Sequence, residues 1–230
     1  MARLCIIPAR GGSKRIPRKN IKPFLGKPII AYSIEIALES GLFDTVTVST
    51  DDVEIAECAK KYGAEVPFLR SEINSNDYAT TQSVLEEVLR EYSNKGIYWS
   101  SLFCLYPTAP LAQLESIKEG YDRLIKNDLD LVYPVVNFSY PIWRGLRRKE
   151  SGQVEFIWPD NKNSRSQDLE DVYHDAGQWY WFKLNLSRTE LRYDNNQTII
   201  LRPSQVQDID NFDDWLTAEI KYKLLSQEMG

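Results

Sequence analysis

The chain has 230 residues, with 28 Lys and Arg against 33 Asp and Glu, a formal net charge of −5. A hydrophobic share of 43% and a charged share of 27% exclude a disordered tail, a collagen-like fibre and a disulfide scaffold, and the length suits one domain over 1–230. No run approaches the roughly 18 apolar residues that a membrane span needs, so no membrane partner is expected. The opening apolar run, 4–8, is too short for a signal peptide. Cys5, Cys58 and Cys104 lack metal-type spacing, which points to a reducing cytoplasm.

The predicted elements follow a regular order. RLCIIP at 3–8 is a nearly continuous apolar run, as in a strand buried on both faces of a parallel sheet. A basic loop follows. Pro28 opens a helix with Ile29, Ile30, Ile34, Ala37 and Leu38 inward, and Gly41 stops it. The β-branched run at 45–50 is a second strand. Asp51 or Asp52 caps a helix that carries Ile55, Ala56 and Ala59 as far as Gly63. A third strand is expected at 65–69. Thr80 or Thr81 then caps a helix with Val84, Leu85, Val88, Leu89 and Tyr92 on one face. A strand at 101–105, a helix at 113–126 and a strand at 131–136 complete a doubly wound rhythm. Residues 137–175 have no helical period but many aromatics, and are expected to form a β-rich excursion or arm. Strands at 178–184 and 198–201 and a helix at 211–225, with Trp215, Leu216, Ile220 and Leu224 inward, end the chain.

Charge is concentrated in one loop. Between Arg10 and Lys27 lie seven basic residues (Arg10, Lys14, Arg15, Arg18, Lys19, Lys22, Lys27) and no acidic one, which leaves a balance of −12 elsewhere. An acidic chain with one cationic loop suits a compact polyanion; nucleic acid would favour a wider basic surface, so no nucleic-acid partner is expected. The loop begins where a buried strand ends, the edge at which open α/β sheets place ligands. Gly11 and Gly12 let backbone N–H groups approach anionic oxygens, while Arg10, Lys14, Arg15 and Lys19 can pair with phosphates. The glycines alone could make a simple turn, but four interleaved cations favour phosphate. Neither a Walker loop nor a Gly-x-Gly-x-x-Gly is present. Near the other end, Asp208 and Asp210 stand two apart on an extended segment and can converge on one hard cation such as Mg²⁺, although Asp210 could serve only as a helix cap.

Four segments taken together resemble a known family: residues 7–20 around Pro8-Ala9-Arg10-Gly11-Gly12-Ser13-Lys14, the Val48-Ser49-Thr50-Asp51 of the second strand, Leu105-Tyr106-Pro107-Thr108-Ala109-Pro110, and Asp208-Ile209-Asp210. They are similar to the cytidylyltransferases called CMP-acylneuraminate synthetases, which activate nine-carbon 2-keto-3-deoxy sugar acids, and the likeness runs in order through the whole chain. Arg165-Ser166-Gln167-Asp168-Leu169, Tyr173-His174-Asp175-Ala176-Gly177-Gln178 and 206–210 are most similar to the branch acting on pseudaminic acid. Sialic-acid members carry Gln and Ser where Tyr106 and Ala109 stand, so the sugar contact here must differ.

The resemblance implies a Rossmann-like α/β nucleotidyltransferase fold, a mixed sheet with helices on both faces and a dimerisation arm. It implies transfer of CMP from CTP to a sugar's anomeric hydroxyl with release of pyrophosphate, in support of flagellin or surface-polysaccharide glycosylation. The expected nucleotide contacts are Arg10, Gly11, Gly12, Ser13, Lys14, Arg15, Lys19, Asn20, Arg70, Thr80 and Thr81. Tyr106, Arg165, Gln167, His174 and Tyr180 are the expected sugar contacts, and Asp208 and Asp210 the magnesium ligands. Arg10, Lys19, Asp208 and Asp210 would carry catalysis, and a cytoplasmic homodimer is expected. His174, the sole histidine, suits an orienting role more than that of a base. The same-class alternatives are synthetases for N-acetylneuraminic or legionaminic acid. A metal-dependent glycosyltransferase using a finished CMP-sugar is the alternative of another class, disfavoured because a diphosphate sugar needs fewer cations.

Overall fold

The computed structural model describes residues 2–185 and 190–228. Strand β1 (Arg3–Pro8) is buried as its composition requires, with Leu4, Cys5, Ile6 and Ile7 fully shielded. It pairs in parallel with β2 (Thr45–Ser49) on one side and β3 (Ser101–Leu105) on the other. Helix α1 (Ile29–Glu39) connects β1 to β2, and α2 (Val53–Lys61) and α3 (Thr81–Asn94) lie between β2 and β3. Asp52 caps α2 by accepting from the Ile55 N–H at 3.0 Å, and Thr80 caps α3 by accepting from Ser83 N–H at 3.1 Å. Helix α4 (Leu114–Lys126) leads into β4 (Leu131–Asn137).

Strands β3 and β4 do not touch. Between them runs β6 (Trp179–Lys183), antiparallel to both, with Trp181 opposite Phe103 on one side and Val132 on the other. The short β5 (Tyr173–Asp175) pairs with the far half of β4, and β7 (Asn196–Leu201) closes the edge in parallel with β4. The order is β7-β4-β6-β3-β1-β2, a mixed sheet.

Because side chains alternate along a strand, each face of the sheet builds its own core. Cys5, Ile7, Phe103, Val132, Trp179 and Trp181 pack with side chains of α1, α2 and α4, including Ile34, Ile55 and Ile117. Leu4, Ile6, Leu102, Cys104 and Phe182 pack with Leu85, Val88, Leu89 and Tyr92 of α3. Full burial of such a side chain contributes about 1.5–3 kcal/mol. Helix α4 comes close to the sheet because Gly120 has no side chain: a Cβ there would lie 2.7 Å from the Trp179 ring and 3.0 Å from Trp181.

Several expectations are corrected. Residues 65–69 form no strand; Glu65 makes one bridge to Thr47, after which Pro67 lacks the N–H a ladder needs and Leu69 is exposed. The arm at 137–175 contains little β structure: a hairpin of Leu146–Arg148 with Val154–Phe156, then β5, joined by turns. Pro141 and Pro159 interrupt it, and the polar run after Pro159 lacks alternation. Leu38 is exposed. In the final helix, α5 (Phe212–Glu228), Trp215 is buried as expected, but Ala218 and Leu225 are buried in place of Leu216, Ile220 and Leu224, which are exposed. The face that packs is the one on which Trp215 and Tyr222 both meet the Phe24 ring edge-on, at 5.5 and 5.9 Å between ring centres.

Candidate active site

The seven cations of the first loop divide into two groups. Arg18 turns away with a left-handed backbone (φ +56°) and pairs with Asp52 through both guanidinium nitrogens and with Glu54 at 2.5 Å. The hydrogen bond from Arg18 holds the Asp52 carboxyl below its ordinary value. Lys22 lies over the Phe212 and Trp215 rings, and Lys27 lies over the Tyr32 ring and pairs with Glu35. These three brace the loop. Arg10, Lys14, Arg15 and Lys19 line a shared cavity of about 540 Å³, together with Ser13 and Asn20.

The loop is anchored at each end. Asn20, nearly buried, donates from Nδ2 to the Arg10 carbonyl at 2.8 Å, and the Gly11 N–H donates to Asp51 Oδ1 at 2.9 Å. Gly11 is required there, since a Cβ would lie 2.7 Å from Asp52 Oδ2. Its N–H is thus turned toward Asp51. Gly12 has open space around it, and neither glycine lines the cavity.

The late acidic pair meets this loop although 190 residues separate them. Ile16 and Ile209, both fully buried, share a third apolar cluster with Phe24, Ile29, Tyr32, Trp215 and Ala218. Packing therefore carries Asp208 and Asp210, on either side of Ile209, to the cationic edge. Lys19 Nζ donates to the Ile209 carbonyl at 2.6 Å, and Arg15 pairs with Asp210 at 2.6 Å. Burial pushes the Lys19 ammonium down, and burial followed by the Asp210 charge pushes Asp208 up. A cation between the two carboxylates would relieve that strain. Among the described residues no group of three or more His, Cys, Asp or Glu side chains converges. An open two-carboxylate site completed by substrate phosphates is the arrangement that suits Mg²⁺.

Arg70 also lines the cavity. It is 8% exposed, and its guanidinium donates to Ser49 Oγ at 3.1 Å and to the Ser49 carbonyl at the end of β2. Burial lowers its pKa from the ordinary value. Thr81 and Tyr106 form a further wall, with their hydroxyls 3.2 Å apart, whereas Thr80 is spent on capping α3. Sequence reasoning missed Asp77, which takes Arg10 at 3.0 Å and Lys14 at 2.5 Å inside the same cavity. An acid within a featureless polar loop gives no signal in one sequence.

The expected sugar contacts are dispersed. Tyr106 lines the main cavity, and Tyr180 packs against it with ring centres 5.6 Å apart. His174 lies with Asp208 and Asp210 on a second cavity of about 470 Å³, so Asp210 borders both. Its Nδ1 lies 2.9 Å from the Asp175 carbonyl and its ring meets Phe138 edge-on. Arg165 is paired with Asp168, and Gln167 lines a separate hollow on the arm; neither borders the main cavity.

A cavity at the carboxyl edge of an α/β sheet, cationic on one side and bordered by Asp210, with Asp208 two residues away on the adjoining cavity, suits a nucleotidyltransferase site. The family model described as "Cytidylyltransferase" matches residues 4–224, and the chain belongs to that family. It is 43% identical to the pseudaminic acid cytidylyltransferase of Campylobacter jejuni over 226 residues, 97% of each chain. It is 31% identical to the N-acylneuraminate cytidylyltransferase A of Danio rerio over 219 residues, 93% of this chain and 49% of that one. Among solved structures, CMP:2-keto-3-deoxy-manno-octonic acid synthetase complexed with CTP shares the fold, with a TM-score of 0.69 at 17% identity over 99% of this chain and 100% of the other.

Proposed function

We propose that this chain transfers CMP from CTP to the anomeric hydroxyl of a nonulosonic acid, pseudaminic acid in the first instance, and releases pyrophosphate. The carrying observation is the convergence of Arg10, Lys14, Arg15 and Lys19 with Asp210 on one cavity. Arg10, Ser13, Lys14 and Lys19 are assigned to the triphosphate, Asn20 and Arg70 to the nucleoside end, and Asp208 and Asp210 to Mg²⁺. The identity to pseudaminic acid cytidylyltransferases over nearly the whole chain supports the choice of sugar. So does Tyr106, which presents an aromatic hydroxyl where sialic-acid enzymes carry an amide.

In-line attack on the α-phosphorus requires positioning and charge stabilisation more than covalent help. Lys19, held between the acidic pair and the loop, keeps a cation where charge develops on the departing pyrophosphate. Arg10 and Lys14 exchange Asp77 for phosphate oxygens. Asp208 and Asp210 would hold Mg²⁺, whose positive charge would then be available to the phosphate oxygens. Tyr106 and Tyr180 position the sugar acid beside the nucleotide. Arg165 and Gln167 lie on the arm and are given no contact within their own chain's cavity.

The arm exposes Phe138, Tyr140, Leu146, Val154, Ile157 and Trp158, an apolar surface that suits a homodimer. Sedimentation would show a dimer at micromolar concentration; a monomer there overturns that assignment. For the activity, pyrophosphate release from CTP is measured with pseudaminic, legionaminic and N-acetylneuraminic acids. Release is expected with pseudaminic acid, and none with any of the three overturns the function.

A further inference from the structure

We infer that Asp77 is a built-in competitor for the pyrophosphate end of the nucleotide, an acceptor that holds Arg10 and Lys14 until phosphate takes them and recaptures them when pyrophosphate leaves. The inference rests on the proposed function and deepens it, since it concerns how tightly CTP and pyrophosphate are held.

Among the described residues, five cations line the main cavity, and each has an acceptor within the protein. Arg15 pairs with Asp210, and Lys19 donates to the Ile209 carbonyl, beside the carboxylates assigned to the metal. Arg70 is committed to Ser49 at the end of β2. Arg10 and Lys14 alone share one partner, which comes from a different loop. Asp77 Oδ1 accepts from Arg10 at 3.0 Å, and Oδ2 accepts from Lys14 at 2.5 Å. Two oxygens of one anion, each on a different cation, is also how a phosphate would bridge this pair.

The clasp can exchange. The Arg10, Lys14 and Asp77 side chains are 44%, 76% and 47% exposed, so water screens the pairs and opening them is easy. The hydrogen bond from Lys14 holds the Asp77 carboxyl below its ordinary value, which keeps it an anion. Neither side depends on the other for its place. The Arg10 carbonyl is held by Asn20, and the Gly11 N–H by Asp51. The loop that carries Asp77 is tied to α3, where Glu87 accepts from the Ser71 N–H at 2.9 Å, from Ser71 Oγ at 3.1 Å and from the Asn74 amide. Asn76 closes the next turn, accepting from the Tyr78 N–H at 2.8 Å and donating to the Ile73 carbonyl at 2.7 Å. A displaced Asp77 therefore stays at the cavity, at an effective concentration set by its loop.

An anion at Arg10 and Lys14 must outcompete this tethered carboxylate and tolerate its charge nearby. CTP offsets that opposition through its contacts at the nucleoside end. Pyrophosphate, once severed from the nucleoside, has lost those contacts, so the same opposition favours its departure. CMP lacks the two phosphates that leave and does not reach the pair.

The test is isothermal titration of the whole protein with inorganic pyrophosphate, CTP and CMP at fixed magnesium and ionic strength. Wild type is compared with Asp77→Asn, which removes the charge at nearly constant shape, and with Asp77→Glu, which keeps it. Asp77→Asn is expected to tighten pyrophosphate and CTP by about threefold to tenfold, with CMP changed by less than about twofold. Inhibition of turnover by added pyrophosphate should strengthen by the same factor. Asp77→Glu should stay nearer to wild type than to Asp77→Asn. Thermal unfolding checks that the variants are folded, and Asp77→Ala, a second neutral variant, should repeat the tightening. Pyrophosphate affinity unchanged or weakened in both neutral variants, CMP tightened as much as pyrophosphate, or Asp77→Glu behaving like Asp77→Asn would overturn the inference while wild type remains active. Absence of turnover by wild type with every sugar acid would instead overturn the function, and the inference with it.

Discussion

Replacing Asp210 by Asn separates the two duties that the structure gives this side chain. Its bond to Arg15 joins groups that are 41% and 68% exposed, so losing it costs at most about 1 kcal/mol. For a chain of this length that is a melting shift of no more than about 4 °C. The local backbone is held independently, because Asp214 Oδ2 accepts from the N–H groups of Asp210 and Asn211, both at 3.0 Å. Catalysis should respond quite differently. Loss of one preorganised group that stabilises transition-state charge typically lowers kcat by about 10²–10³. Pyrophosphate release is followed against MgCl₂ at saturating CTP and sugar, beside thermal unfolding of the same preparation. A large loss of turnover with near-normal melting is expected. Near-normal turnover at equal metal, or wild-type turnover undiminished by excess EDTA, would refute the metal role.

Three further outcomes are expected. Gly120→Ala gains about 1 kcal/mol of helix propensity but forces a methyl to within 2.7 Å of fully buried Trp179, an overpacking of about 1–3 kcal/mol; a melting point at or above wild type would show that the ring yields freely. Asp52→Ala removes the cap of α2 and the Arg18 bond, at a cost of about 0.5–2 kcal/mol. Because Arg18 depresses the Asp52 pKa, its stabilisation is complete above pH 3.8 and lost as pH falls through the lower folded value; the melting gap between variant and wild type should therefore close in acid, and a gap unchanged by pH would contradict this. Arg70→Lys cannot fork onto Ser49 and should raise the KM for CTP while leaving that for the sugar unchanged, with equal rises in both values as the contrary result.

Much of the fold was legible because its signals are local. A continuous apolar run specifies β1, and hydroxyl or carboxylate caps mark the starts of α2 and α3. The cationic loop and the acidic pair were legible as chemistry, and the four cations singled out are those that border the cavity. What failed was non-local. The buried face of α5 depends on Tyr222 as well as Trp215 meeting Phe24, nearly two hundred residues earlier in the chain, and the apolar pattern of the helix alone fits either face. The bracing roles of Arg18, Lys22 and Lys27 depend on partners in other elements. Asp77 gains meaning only from the side chains opposite it.

The placement of β6 bears on how the molecule is made. Strands β3 and β4 share no hydrogen bonds, so a chain that has emerged only to residue 137 holds the three-stranded sheet β2-β1-β3 with an open edge at β3, and β4 without any strand partner. The cationic loop is translated first, yet its surroundings close only when the strand at 179–183 slots between β3 and β4 and Ile209 reaches Ile16. Such late, long-range docking favours slow folding, and until it occurs two open strand edges are left free to pair with other chains.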